Sequence, residues 1–225
     1  MEPPGNSYQR RTALGLKAIN HLAFITPDMS GTIRFYRDLL GLQLHAGIGH
    51  DGYRHYFFRL ADNSSVAFFS YDGASAMERK FPGNRTDKPL GFDHVSFTVE
   101  SSSELMTFKS KLEAAGLDVH GPVDHGICWS IYFYDPNNIP LEISWDCVEV
   151  LSAPAIVDDE PLAVAAEGAG PQPGHWPEPT EAPAAAKPLK AGNGHAMRKA
   201  FLEEGRARVV PELKELMGDT PDGSS

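Results

Sequence analysis

One short phrase occurs twice in this chain. "AINHLAFIT", starting at Ala18, aligns with "GFDHVSFTV", starting at Gly91; each is a short strand pattern with a histidine fourth, and His21 and His94 lie 73 residues apart. Self-similarity at a fixed distance means two copies of one supersecondary unit, so every later motif has to be read in pairs. A helix follows each strand: Ile33, Tyr36 and Leu40 share one helical face in the first copy, as do Leu105, Phe108 and Leu112 in the second. Ser101 and Glu104 have the spacing of a capping box. Both helices end in a similar phrase, "GLQLH" at Gly41 and "GLDVH" at Gly116, with glycine where a left-handed residue closes a helix. "YRHYFFRL" and "SSVAFFSY" then read as strands in the first copy, "WSIYFYD" and "IPLEISW" in the second. The pattern is βαβββ twice, an α+β fold in which two modules form a curled mixed sheet around a shared cup.

The repeat occupies residues 17–150, with modules at about 17–73 and 90–148. Residues 1–16 read as a flexible N-terminus. From residue 151 to 195 Ala, Pro, Gly and acidic residues take over without an apolar period, which reads as a linker. Residues 196–217 regain helical character as an arm, with Gly205 and Pro211 as breaks, and residues 218–225 read as a disordered tail. A formal net charge of -10 argues against nucleic-acid binding as the main task. No window has the apolar length of a membrane span and the N-terminus lacks a signal-peptide core, so the expected location is cytoplasmic. Two cysteines, Cys128 and Cys147, are too few for a disulfide scaffold and read as small core residues.

Glu142 is the anomaly. It sits within an apolar strand, and an ionised carboxylate there needs an ion-pair partner or a metal. If a pseudo-two-fold axis relates the modules, His21 and His94 occupy matching places. Two imidazoles and one carboxylate then make a three-point site for a divalent cation, with positions open to water, substrate or dioxygen. Strand alternation puts Glu142 on one face with Pro140 and Ser144, opposite Leu141, Ile143 and Trp145, without saying which face lines the cup.

The stretches "NHLAFITPDMSGTIRFYRDLLGL", "FDHVSFTV" and "YFYDPNNIPLEI" resemble the vicinal oxygen chelate superfamily, which includes glyoxalase I, fosfomycin-resistance thiol transferases, bleomycin-resistance proteins and extradiol dioxygenases. The resemblance implies a metal held by His21, His94 and Glu142, and a homodimer. Four-ligand members carry a further ligand near Phe69, where "VAFFSY" offers none. "HGICWSIYFYDPNNIPLE" resembles the extradiol signature at His125, Tyr132, Asp135, Pro136 and Glu142, with Asn138 standing where Gly or Pro is usual. Such an enzyme would use Fe(II), with Mn, Co or Zn as alternatives, and would take a catechol-like aromatic and dioxygen. Tyr132 would hydrogen-bond the substrate and His125 would handle protons. The base histidine of the first module is missing from the Phe68–Ser70 region, and His55 is the stand-in if it faces the cup. Arg54, Arg59, Arg79, Lys80 and Arg85 leave a phosphonate-binding thiol transferase as one alternative. A glyoxalase-like lyase or isomerase and a non-catalytic drug-binding protein are the others.

Overall fold

The computed structural model describes residues 18–62, 64–88, 92–152, 155–157, 162–169, 172, 174 and 195–217. The expected N-terminal segment 1–16, most of the linker and the tail 218–225 lie outside them.

The first module runs β1 (His21–Ile25), α1 (Met29–Ile33), β2 (Gln43–His50), β3 (Tyr53–Ala61) and β4 (Ser64–Tyr71). The second runs β5 (Val95–Thr98), α2 (Ser102–Ala114), β6 (His120–Asp124), β7 (Cys128–Tyr134) and β8 (Pro140–Asp146). The chain is therefore α+β with paired βαβββ modules, as expected. Each module forms its own four-stranded sheet, in the orders β1-β4-β3-β2 and β5-β8-β7-β6. The sheets are mixed, because β1 and β5 run parallel to β4 and β8 while the other pairs are antiparallel. "QLH" and "DVH", read above with the helix ends, lead into β2 and β6 instead. Gly41 and Gly116, both at φ +82°, make the turns between.

Local chemistry fixes the helices. Asp28 caps α1 by accepting from the Gly31 N–H at 2.9 Å, and Ser101 caps α2 by accepting from the Glu104 N–H at 3.2 Å. The chain after α1, Arg34–Leu39, winds as a π-helix, with the Leu40 N–H donating to the Phe35 carbonyl at 2.9 Å. The wider turn lets two consecutive aromatics, Phe35 and Tyr36, point into the core, which the expected face of Ile33, Tyr36 and Leu40 did not include.

One core joins both modules. Tyr36 packs on Phe68 of the first sheet with ring centroids 4.8 Å apart, and its neighbour Phe35 reaches Phe133 of the second sheet at 6.5 Å. Leu105 and Leu112 of α2, Ile131 of β7 and Leu141 of β8 are fully buried in the same cluster. Inside it lies a polar knot. Asp135 Oδ1 accepts from the Asn137 and Ile139 N–H groups, each at 2.8 Å, and Oδ2 accepts from the Tyr36 hydroxyl at 3.1 Å and the Asn137 amide at 2.9 Å. The Asn137 amide also donates to Thr32 Oγ1 at 3.1 Å. The Asp-Pro turn thus ties the β7–β8 connection to the helix of the other module. Burial pushes the Asp135 carboxyl and the Tyr36 hydroxyl above their usual ranges. Asn138 takes the left-handed conformation, φ 62°, that Asn tolerates better than most residues.

The described residues from Cys147 onward belong to a second unit. It contains a 3-10 turn (Ala163–Glu167), α3 (His195–Glu203) and α4 (Pro211–Met217). Gly205 adopts a positive φ just past α3, and Pro211 opens α4, where its missing N–H costs nothing.

Candidate metal centre

In β8, Leu141 and Ile143 face the core, so Glu142 lies on the opposite face, which answers the question that alternation left open. Register then builds a row across the second sheet: Ser96 on β5 pairs with Glu142, Glu142 with Tyr132 on β7, and Tyr132 with His120 on β6. His94, just before β5, places Nε2 at 2.9 Å from Glu142 Oε2. The Tyr132 hydroxyl donates to Glu142 Oε1 at 3.2 Å and lies 2.8 Å from His125 Nε2. Four of the expected residues, His94, Glu142, Tyr132 and His125, are therefore brought together. Glu142 is 6% exposed. Burial, followed by the Glu142 charge, raises the Tyr132 pKa, which keeps its hydroxyl a proton donor.

His21 and His55 gather on the first sheet, on its face away from the core, with ring centroids 6.5 Å apart. His55 stacks on Phe69, its register partner, at 3.6 Å, and its Nε2 is buried without a hydrogen-bond partner. Burial, then the charge of His21, lowers the His55 pKa, so the imidazole is neutral at pH 7. His45 follows core-facing Leu44 and so lies on this face too, where its Nε2 meets Ser65 Oγ at 3.0 Å, and a bulge between Leu44 and Ala46 brings Ala46 onto it as well. Register also refines the place matching Glu142. Glu142 pairs with the residue two past His94, and the residue two past His21, Ala23, pairs with Ala67. That position is Ala67 rather than Phe69, and neither side chain can bind a metal.

The residue before each histidine went unremarked in the sequence, although both copies carry an acceptor there. Asn20 Oδ1 lies 2.9 Å from His21 Nδ1, and Asp93 Oδ1 lies 2.6 Å from His94 Nδ1. Both contacts engage Nδ1 and so direct Nε2 outward, in His94 toward Glu142. A hydrogen bond from Lys80, then one from His94, holds the Asp93 carboxyl well below the usual carboxylate range. The residues fit a divalent cation on these grounds: Glu142 is a buried carboxylate, His94 offers Nε2 beside it, and two imidazoles with one carboxylate are a borderline donor set. Among the described residues, however, no three His, Cys, Asp or Glu side chains converge on one point. His94 and Glu142 make two-thirds of the expected set, and His21 belongs to the other sheet. A separate cavity of about 600 Å³, lined by Leu22, Phe24, Met77 and Phe92 among others, is apolar and contains none of these groups.

A family model described as the Glyoxalase/Bleomycin resistance protein/Dioxygenase superfamily matches residues 18–143. The chain belongs to this superfamily. Relatives within it differ in chemistry. The uncharacterized protein YaeR of Escherichia coli is 27% identical over 138 residues, covering 58% of this chain and 97% of its own. The glutathione transferase FosA of Serratia marcescens is 28% identical, over 57% of this chain and 80% of its own. Biphenyl-2,3-diol 1,2-dioxygenase 3 of Rhodococcus globerulus is 25% identical over 56% of this chain and 62% of its own length. A glyoxylase/bleomycin resistance protein/dioxygenase domain from Frankia superposes with a TM-score of 0.51 at 22% identity, over 59% of this chain and 99% of that one, and shows the shared fold. Among the described residues no helix is long and apolar enough to cross a membrane.

Proposed function

We propose that the chain is a metal-dependent enzyme of the extradiol type, cleaving the ring of a catechol-like aromatic with dioxygen. The observation that carries this reading is the chain of contacts His125–Tyr132–Glu142–His94, which joins the signature His and Tyr to the two candidate ligands. His94, Glu142 and a His21 would hold the metal, Fe(II) in this reading, which when bound would let electrons pass between a catecholate and dioxygen. The protein residues supply proton handling and shape. Tyr132 donates to Glu142 Oε1 and, with substrate present, can turn its hydroxyl to a catechol oxygen. His125, 2.8 Å behind it, can return a proton to that hydroxyl. Neutral His55, beside His21, takes the place of the base absent from the Phe68–Ser70 region.

The same observations support a homodimer. The histidine face of the first sheet and the Glu142 face of the second both point away from the core. No three ligands converge among the described residues of one chain. A second copy that brings its His21 face to the Glu142 face of the first completes the donor set.

The thiol-transferase reading is favoured by the FosA relative but weakened by the cations it needs. Of the five cations named above, Lys80 is committed to Asp93, and Arg79 to Asn138 and the Tyr134 ring. Metal content of untagged protein purified anaerobically separates the readings. Near-stoichiometric iron together with yellow ring-opened products from a catechol panel is the expected result. Manganese, cobalt, zinc or nickel without such products favours isomerisation or group transfer, and a metal-free chain that ignores chelator sinks both. In the ring-cleaving enzyme, Tyr132→Phe is expected to lower kcat/KM by about 10²–10⁴-fold while metal content stays constant, measured by steady-state product absorbance.

A further inference from the structure

A continuous chain of contacts runs from the segment between the modules to Glu142. The Lys80 ammonium donates to Asp93 Oδ2, and the Gly83 N–H donates to Asp93 Oδ1 at 2.9 Å. Asp93 Oδ1 lies 2.6 Å from His94 Nδ1, and His94 Nε2 lies 2.9 Å from Glu142 Oε2. The lysine side chain is 13% exposed and the aspartate it holds is 42% exposed, so the cation is the deeper partner. Its place here is against the carboxylate that orients His94.

The two histidines of the repeat are supported alike in geometry and differently in charge. Asn20 offers His21 a neutral amide oxygen, whereas Asp93 offers His94 a carboxylate. A carboxylate on Nδ1–H fixes the tautomer, stops the ring from turning and makes Nε2 more electron-rich. We propose that Asp93 is a positioning residue for His94 and that Lys80, with the Gly83 N–H, sets Asp93 in place. The proposal rests on the reading of His94 and Glu142 as metal ligands. Phe81, next to Lys80, lies with its ring centroid 5.2 Å from His120 and 6.0 Å from Tyr132.

The test is titration of the metal-free full-length chain with Co(II), read both as affinity against a competing chelator and as the visible absorption of the bound ion. Asp93→Ala is expected to bind about 10–100-fold more weakly and, at saturating Co(II), to show a displaced spectrum. Asp93→Asn, whose amide oxygen still accepts from Nδ1–H, is expected between Ala and wild type. Lys80→Met is expected to weaken binding several-fold, whereas a residue that merely anchors the segment would leave the spectrum unmoved. Wild-type affinity and spectrum in Asp93→Asn and Lys80→Met, with binding abolished in His94→Ala, would overturn the proposal while sparing the metal reading. Equal binding by wild type and His94→Ala, or no binding by wild type, would remove the metal reading and the proposal with it. Should Asp93→Ala fail to fold, the Asp93→Asn and Lys80→Met comparison decides alone.

Discussion

A Glu142→Ala chain is expected to bind divalent metal at least about 100-fold more weakly than wild type, and a His21→Ala chain to be similarly impaired. Refolding the two variants together should nevertheless restore sites. In a mixed dimer, the first variant supplies His21 and the second supplies His94 and Glu142, so one intact site forms while the opposite site carries both lesions. The measurement is tight-binding metal per chain after equilibrium dialysis, before and after mixing. Recovery after mixing identifies a site shared between copies. Impairment of both variants without recovery means that each chain builds its own site and that the proposed pairing of faces is wrong. Full metal binding by His21→Ala would drop that residue from the ligand set. The expectation follows from the placement of His21 on one sheet and the His94–Glu142 pair on the other, with no three-ligand group among the described residues.

The second large effect concerns stability. Asp135→Ala is expected to cost about 3–5 kcal/mol, because it removes the acceptor of four hydrogen bonds at a site where the aspartate is 3% exposed. Tyr36→Phe deletes only one of those bonds and is expected to cost about 1.5–3 kcal/mol. The two measured losses should not add, since both act on the same knot. Urea unfolding followed by fluorescence gives both values and the double-mutant coupling. A loss below about 1 kcal/mol for Asp135→Ala would mean that water or a neighbouring group replaces the carboxylate, and that the Asp-Pro turn does not fasten the modules together.

These two predictions draw on different kinds of information. The Asp-Pro turn and Glu142 are visible in the sequence as anomalies, a turn dipeptide before a strand and a charge among apolar residues. What lies behind each was hidden. Asp135 takes its hydroxyl donor from Tyr36, 99 residues earlier, and a separation of that size leaves no local signature. Asn20 and Asp93 were legible in principle, because the repeat sets both beside their histidines. Their meaning depends on side-chain direction, which residue type alone does not give. The bulge after Leu44 resets the count along its strand, so faces assigned by alternation from Leu44 are reversed from Ala46 onward.

The sequence by itself determined the two βαβββ modules, the Ser101 cap of the second helix, the left-handed glycines and the matching places of His21 and His94 in the repeat. These follow from backbone preference and periodicity, which act over a few residues, and from a repeat that can be read without coordinates. Tertiary structure alone decided that Glu142 turns away from the core, that Tyr132 joins it to His125, and that Lys80 stands behind Asp93. It also decided that His21 and Glu142 belong to different sheets. The strand-borne contacts depend on which strand faces pack against the two helices, a choice made by burial of apolar area summed over the whole domain, and the Lys80–Asp93 contact depends on the path of the segment between the modules.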